Sequence, residues 1–373
     1  MTPVEELLGE LIAIPSINPR GEHAPAETPV AQFVARWAQE RGMQAELDEV
    51  VDGRCNVVVT VSGESDETIL LETHLDTVEV DSDELLTARR DNDRIYGRGA
   101  CDAKGPLAVF LCAMAAVAER GRPARTIVLA AVIDEEHQYQ GVQAFRRRAL
   151  RPIGGIIGEP TELRMVTAHK GCMRCRINAT GPGGHSSEPW DKINPIAVVA
   201  EIATYLSETV ARELETQPAP LVGPPSLSVT EVRGGRGPNV LPDFASIGID
   251  RRTVAGEDPH EVWEQLRANL VSRWPNGVEV EEPHTVDYAL HTASDDPFVV
   301  EVAQTLTDHG LDATSVGVGH GTDASKLALD GIPCIVFGPG SIGHAHTAGE
   351  FVPVADLHRA QAVVEQLLAG GVR

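Results

Sequence analysis

Thr68-Ile-Leu-Leu-Glu-Thr-His74-Leu-Asp76 decides the fold, as a short strand-like run around Ile69, Leu70 and Leu71 that ends on His-x-Asp. Such a run reads as a strand. Beyond it come an apolar helical pattern over Ala103–Arg120 and a second strand-like run over Thr126–Ile133. Asn56–Val61 precedes them, and Gly154–Gly158 follows as another short buried strand. Strands alternating with amphipathic helices predict an α/β sheet with helices on both faces. In such sheets ligands gather just past the carboxyl ends of the strands.

Toward the N-terminus two helices are expected. Thr2 and Glu5 fit a capping box, Pro3 takes the opening position, and Val4, Leu7, Leu8, Leu11 and Ile12 share one face. The second follows Thr28-Pro29 and stops near Gly42. From Cys172 the texture changes. A strand (Cys172–Ala179) leads to a helix opened by Asn194-Pro195, then to strands Ser226–Arg233 and Phe244–Arg251. A helix near Pro259–Ser272 and a strand Val278–Glu282 complete the order of a split βαβ sandwich. The first texture returns at Asp296-Pro297, with a short helix Thr322–Leu329, a strand Ile332–Phe337 and a final helix from Val354. The simplest arrangement is one α/β domain, 1–172 and 286–373, interrupted by an inserted α+β domain over 173–285.

Composition narrows the function. Across 373 residues, 55 acidic side chains outnumber 31 Lys and Arg, for a net charge of -24. That balance argues against nucleic acid or an anionic membrane as partner, since both need a basic face. No run of about 18 apolar residues marks a membrane span. The N-terminus lacks the basic and cleavable segments of a signal peptide, so a cytoplasmic protein is expected. The six cysteines are few and irregularly spaced, and read as reduced thiols. Cys172 and Cys175, three apart on a strand, point to opposite faces.

Five segments place His, Asp or Glu just past buried runs. In His74-Leu-Asp76 the two polar side chains share a strand face, so Asp76 can hold the imidazole. Asp102 lies between glycines ahead of an apolar helix in Gly97-Arg-Gly-Ala-Cys-Asp-Ala-Lys-Gly105. Asp134-Glu135-Glu136 lets one carboxylate bind a metal while its neighbour acts as a base. Gly158-Glu159-Pro160 and His344-Ala-His346-Thr-Ala-Gly-Glu350 complete the set. Each also has a plain structural reading: a hydrogen-bonded pair, an N-cap Asp or a solvated acidic turn. Their joint placement at the strand ends of one domain favours chemistry.

The ordered set HLD, GRGACDAKG, DEE, GEPT, GPGGHSSEP, GGRGPNVLP, DRR and AHTAGE, from His74 to Glu350, resembles the M20 peptidase family of dinuclear zinc hydrolases. That family includes acetylornithine deacetylases, succinyl-diaminopimelate desuccinylases, aminoacylases and glutamate carboxypeptidases. The resemblance implies one metal on His74 and Glu159, a second on Glu136 and His346, and Asp102 bridging both. It further implies Glu135 as general base, Asp76 as orienter of His74, and a cis bond at Asp102-Ala103. Such imidazole and carboxylate ligands suit two Zn2+ per subunit, with Co2+ or Mn2+ also accepted. The inserted domain is implied to be a lid and dimerisation module, making a homodimer in which His185 reaches the partner's active site to stabilise the oxyanion. Taken alone, His185 also reads as a turn residue. Asn239 and Arg252 match positions that hold a substrate carboxylate, which a guanidinium grips in bidentate fashion. Arg251 is the rival to Arg252, and the Asp-x-Arg spacing selects Arg252.

The resemblance points to a metal-dependent amidohydrolase that removes the acyl group from an N-acyl amino acid, with a carboxypeptidase or dipeptidase acting on a small peptide as the alternative. Glu159 favours the first, because the family's deacylases and carboxypeptidases carry Glu there and its aminopeptidases and dipeptidases carry Asp. The loop Gly319–Ser325 is expected to line the pocket. His344 competes with His346, but only His346 has the family's spacing to Glu350. Gly338-Pro-Gly-Ser-Ile-Gly343 fits GxGxxG, yet too little chain follows for a nucleotide-binding unit. No GxSxG nucleophile elbow occurs. His23, His137, His169, His284, His291 and His320 read as surface or hydrogen-bonded histidines.

Overall fold

In the computed structural model, residues 1–20, 26–189 and 192–370 are described. The chain divides into two compact units. One comprises 1–167, 292–316 and 322–373, and the other 168–291 and 317–321.

The larger unit is built on a mixed sheet. Its strands run in the order Gln44–Val51, Arg54–Val61, Thr126–Val132, Thr68–His74, Gly154–Ile157, Cys334–Val336 and Val166–His169. The middle four are mutually parallel and the flanking pairs antiparallel. Alternation along each strand sends apolar side chains to both faces. Ile69, Leu71, Leu129 and Ala131 join one core with helices Pro3–Ile12, Thr28–Gln39, Lys104–Glu119 and Val354–Leu368. The alternate residues Leu70, Val128 and Val132 are equally buried on the opposite face, as helices there require. Helices Gln140–Arg146 and Ala324–Ala328 pack against strands of this sheet. The expected α/β sheet with helices on both faces is thus what forms.

Two local readings change. The Thr2 hydroxyl donates to the Glu5 carboxylate rather than accepting from a helix N–H, so the capping box does not close. Asp102 is not an N-cap either, because the helix begins at Lys104 with Ala103 in the cap position and no side chain capping it. The hairpin Arg89–Asp91/Arg94–Tyr96, which pairs with Phe351–Pro353, escaped the sequence reading because its strands are three residues long.

The smaller unit has the order strand, helix, strand, strand, helix, strand. Its antiparallel sheet runs Ser226–Gly234, Phe244–Thr253, Gly171–Thr180, Val278–Val280, the split βαβ arrangement. Helices Pro195–Tyr205 and Pro259–Arg273 pack with Met173, Cys175, Ile177 and Ala179, alternate residues of one strand. Cys175 thus enters this core while Cys172 faces away, and both are free thiols.

Gly158, between strand Gly154–Ile157 and Glu159, is a steric requirement. A Cβ there would lie 2.8 Å from both Phe110 Cε2 and Pro106 Cβ of the helix beneath. Gly158→Ala is expected to destabilise the protein by about 1–3 kcal/mol through overpacking, read as a lower urea midpoint. Adding Phe110→Leu should recover part of the loss, and no recovery would locate the strain elsewhere.

Candidate metal centre

Three parallel strands deliver three acid or imidazole groups to one end of the sheet. His74 closes its own strand, Asp134–Glu136 follows Thr126–Val132, and Glu159 stands two residues beyond Gly154–Ile157. Asp102 and His346 have no strand to place them. Asp102 precedes helix Lys104–Glu119, with its peptide bond to Ala103 cis, and His346 lies in the loop before Phe351–Pro353 with φ +61°.

The side chains converge. His74 Nε2 lies 3.0 Å from Asp102 Oδ1 and 3.8 Å from Glu159 Oε1. His346 Nε2 lies 3.1 Å from Asp102 Oδ2 and 2.9 Å from Glu136 Oε1. Asp102 therefore stands between the two imidazoles, one oxygen toward each. Donor atoms of His74, Asp102 and Glu136 lie within 4.8 Å of one another, and so do those of His74, Glu135 and Glu159. His74 Nδ1 donates to the backbone carbonyl of Asp76 at 2.9 Å, with the Asp76 carboxylate at 3.5 Å. Nε2 is thereby the atom facing the cluster, and it becomes an electron-pair donor only where a metal ion displaces the proton it shares with Asp102.

Electrostatics fit a cation at this place. Burial pushes the Glu135 and Glu159 carboxyls well above their usual range, and Glu136 upward as well. Burial acts the same way on Asp102, but hydrogen bonds from His346 and His74 outweigh it and hold that carboxyl low. The bonds to Asp102 and Glu136 push His346 up to about 10. Burial disfavours a charged His74, yet its bonds to Asp102 and Asp76 carry its pKa well above the ordinary value. Among the described residues, no Lys or Arg forms an ion pair with Asp102, Glu135, Glu136 or Glu159. Clustered carboxylates answered only by imidazoles, with no fixed cation, are the donor set that divalent ions neutralise.

A buried network under the cluster was not legible in the sequence. The Asp76 carboxylate accepts from the backbone N–H of Glu135 and Glu136 at 3.1 and 3.0 Å. Asn18 Nδ2 bridges Asp76 and Asp134, and Arg54 pairs with Asp134 and Glu27. Asp134 is wholly buried, so the acidic triplet is not a solvated turn. Only Asn18-Pro and an arginine inside a strand stood in the sequence, and neither pattern is diagnostic. Glu72 and Asp323 are also buried, and their carboxyl groups act on one another.

In the smaller unit, Gly184-His185 pairs antiparallel with Val240-Leu241, and Ser186 N–H donates to Asn239 O. The two glycine-rich segments are thus neighbours, with His185 and Asn239 both exposed. Ser187 N–H donates to His185 Nδ1 at 3.2 Å. Arg252 lies partly exposed, its Nε 2.8 Å from Asp250 Oδ1. Arg251 is buried, bonded to Glu257 and to the Arg252 carbonyl. His344 packs on Phe351 with ring centroids 4.2 Å apart. His169 is buried with Nδ1 on the Lys170 carbonyl, while His284 is exposed beside Thr285. His23 lies outside the described residues.

Comparison with known proteins places this geometry. Residues 70–370 match the model of peptidase family M20/M25/M40. The acetylornithine deacetylase of Proteus mirabilis is 29% identical over 378 residues, 97% of this chain and 95% of that relative. The M20 family metallo-carboxypeptidase Sso-CP2 of Sulfolobus solfataricus superposes with a TM-score of 0.80 at 20% identity, covering 99% of each chain. The YXEP protein of Bacillus subtilis, described as a dinuclear metal-binding peptidase from the M20 family, gives 0.72 at 16% identity, over 98% of this chain and 96% of that one. The chain belongs to peptidase family M20/M25/M40. It is a metal-binding hydrolase of amide bonds.

Asp323 offers a pH test. Burial lifts its carboxyl up to about 7, above its unfolded value of about 3.9. The folded state therefore holds the extra proton, and that contribution is present below about pH 4 and lost as pH rises through about 7. In metal-free protein, the unfolding midpoint is expected to fall over that window. Asp323→Asn should flatten the fall, and equal slopes in both proteins would contradict the assignment.

Proposed function

We propose that this protein removes the acyl group from an N-acyl amino acid. The observation that carries the substrate class is similarity over nearly the whole chain to proteins named acetylornithine deacetylase. Glu159 at the strand end supports the same reading.

In this reading His74 and Glu159 would hold one divalent ion, Glu136 and His346 would hold another, and Asp102 would be shared by both. The donor set suits zinc, with cobalt or manganese as alternatives. Bound there, two such ions supply the Lewis acidity that polarises a carbonyl and acidifies water. Glu135 takes the proton of the attacking water and passes it to the leaving amine. Burial raises the Glu135 carboxyl above its usual range, which makes its carboxylate a stronger base than a solvated one. Asp76 fixes the turn bearing Glu135 and Glu136 through their backbone N–H groups.

The segment 173–285 serves as a lid and dimerisation module. Because Nδ1 of His185 accepts a hydrogen bond, its Nε2 carries the hydrogen and is the free donor. Such a donor suits an oxyanion, and His185 supplies it across a homodimer to the partner's active site. Arg252, with Asn239, holds the substrate carboxylate, and the half-exposed side chain of Arg252 supports choosing it over buried Arg251. The protein acts in the cytoplasm. Among the described residues no helix is long and apolar enough to cross a membrane.

A panel of N-acetyl and N-succinyl amino acids and dipeptides, run with and without a chelator, tests the substrate class. Chelator-sensitive release of amino acid from the N-acyl compounds is expected. Turnover of dipeptides alone would move the reading to a peptidase. Glu135→Ala should lower kcat by about 10²–10⁴-fold with metal content unchanged, measured by steady-state kinetics beside metal analysis. His185→Ala should lower kcat by about 10²–10³-fold, and a monomeric mass in solution would remove its cross-subunit role.

A further inference from the structure

The five proposed ligands differ in how they are held. His74, Glu136 and Glu159 sit at or just past strand ends, where ladder hydrogen bonds fix the backbone. Asp102 and His346 are borne by loops, and a loop ligand needs something else to fix it. The side chain that meets this need is Glu350.

Glu350 is wholly buried and lies four residues beyond His346 in the same loop. Its Oε1 accepts from the backbone N–H groups of Cys101 and Asp102, at 3.1 and 3.2 Å. Its Oε2 accepts from Arg98 Nη1 at 2.6 Å, and Arg98 Nη2 donates to the Glu79 carbonyl at 3.0 Å. The Glu350 carbonyl accepts from Gly97 N–H at 3.2 Å. One residue thus grips the Gly97–Asp102 turn at both its backbone and its side chain, while its own position fixes the loop that carries His346. The carboxylate bonds run to the very peptide unit from which the Asp102 side chain projects. Arg98, itself buried, supplies the opposite charge that keeps this carboxylate in place.

We infer that Glu350, held by Arg98, is a positioning residue that joins the two loop-borne ligands Asp102 and His346, and thereby secures the ion bound by Asp102, Glu136 and His346 more than the one bound by His74 and Glu159. The inference rests on the two-ion reading proposed above. Glu350→Gln keeps the shape, but it sets an amide NH2 against either the two N–H groups or the guanidinium. Groups that orient metal ligands typically contribute about 10–100-fold in metal affinity.

The test is equilibrium dialysis of full-length protein against cobalt(II), with visible absorption reporting the coordination of each bound ion. Wild type should hold two ions per chain. Glu350→Gln should bind one ion about 10–100-fold more weakly, with the absorption of that site lost or shifted, and weaken the other clearly less. Arg98→Gln should act in the same direction, and it decides the matter if Glu350→Gln fails to fold. Two ions at unchanged affinity in the variant, or equal weakening of both, overturns the inference while leaving the two-ion reading standing. A single ion in wild type overturns the two-ion reading and this inference together.

Discussion

Everything in the larger unit answers to one constraint, which is that several carboxylates must lie within a few ångströms of one another, largely out of water. Asp102, Glu135, Glu136 and Glu159 repel each other, and burial raises the cost of each charge. The protein meets this with two imidazoles whose Nε2 atoms face the opposite oxygens of Asp102. Protons and divalent ions compete for those nitrogens, which couples metal affinity to pH. The supporting layer obeys the same logic. Asp76 and Asp134 are wholly buried, and Asn18, Arg54 and Gln140 with backbone N–H groups satisfy their oxygens.

The fold supplies the place for such a cluster. Parallel strands end together on one side of the sheet, so the residues that follow them meet there. This is why three of the proposed ligands stood out in the sequence: His74, Glu136 and Glu159 come soon after the strand-like runs Thr68–Thr73, Thr126–Ile133 and Gly154–Gly158, which declare both a strand and its end. Asp102 and His346 were singled out with them as lying just past buried runs, yet both are borne by loops. For all five the ligand role came from the resemblance to a family, because a loop's course depends on distant partners rather than on local pattern. The supporting groups were less legible still. Nothing near Asn18 or Arg54 announces that Asp76 and Asp134, 58 and 80 residues away respectively, will need them. The main elements of the smaller unit were legible because Gly171–Thr180, Ser226–Gly234 and Phe244–Thr253 are long strands and its helices begin at Asn194-Pro195 and Asp258-Pro259, where side chains cap the first turn.

Two histidines show how little is needed to give one residue type opposite uses. His74 places Nδ1–H on a backbone carbonyl, and the neutral ring is then an electron-pair donor at Nε2. His185 receives a backbone N–H at Nδ1, and the neutral ring is then a hydrogen donor at Nε2. The first tautomer suits a cation and the second a developing negative charge on oxygen. In each case the partner at Nδ1 is a residue two positions further along the chain: the Asp76 carbonyl with its carboxylate nearby, and the Ser187 amide with its hydroxyl 2.7 Å away. The spacing His-x-Asp and His-Ser-Ser therefore acts through the backbone it folds as well as through the side chains it names.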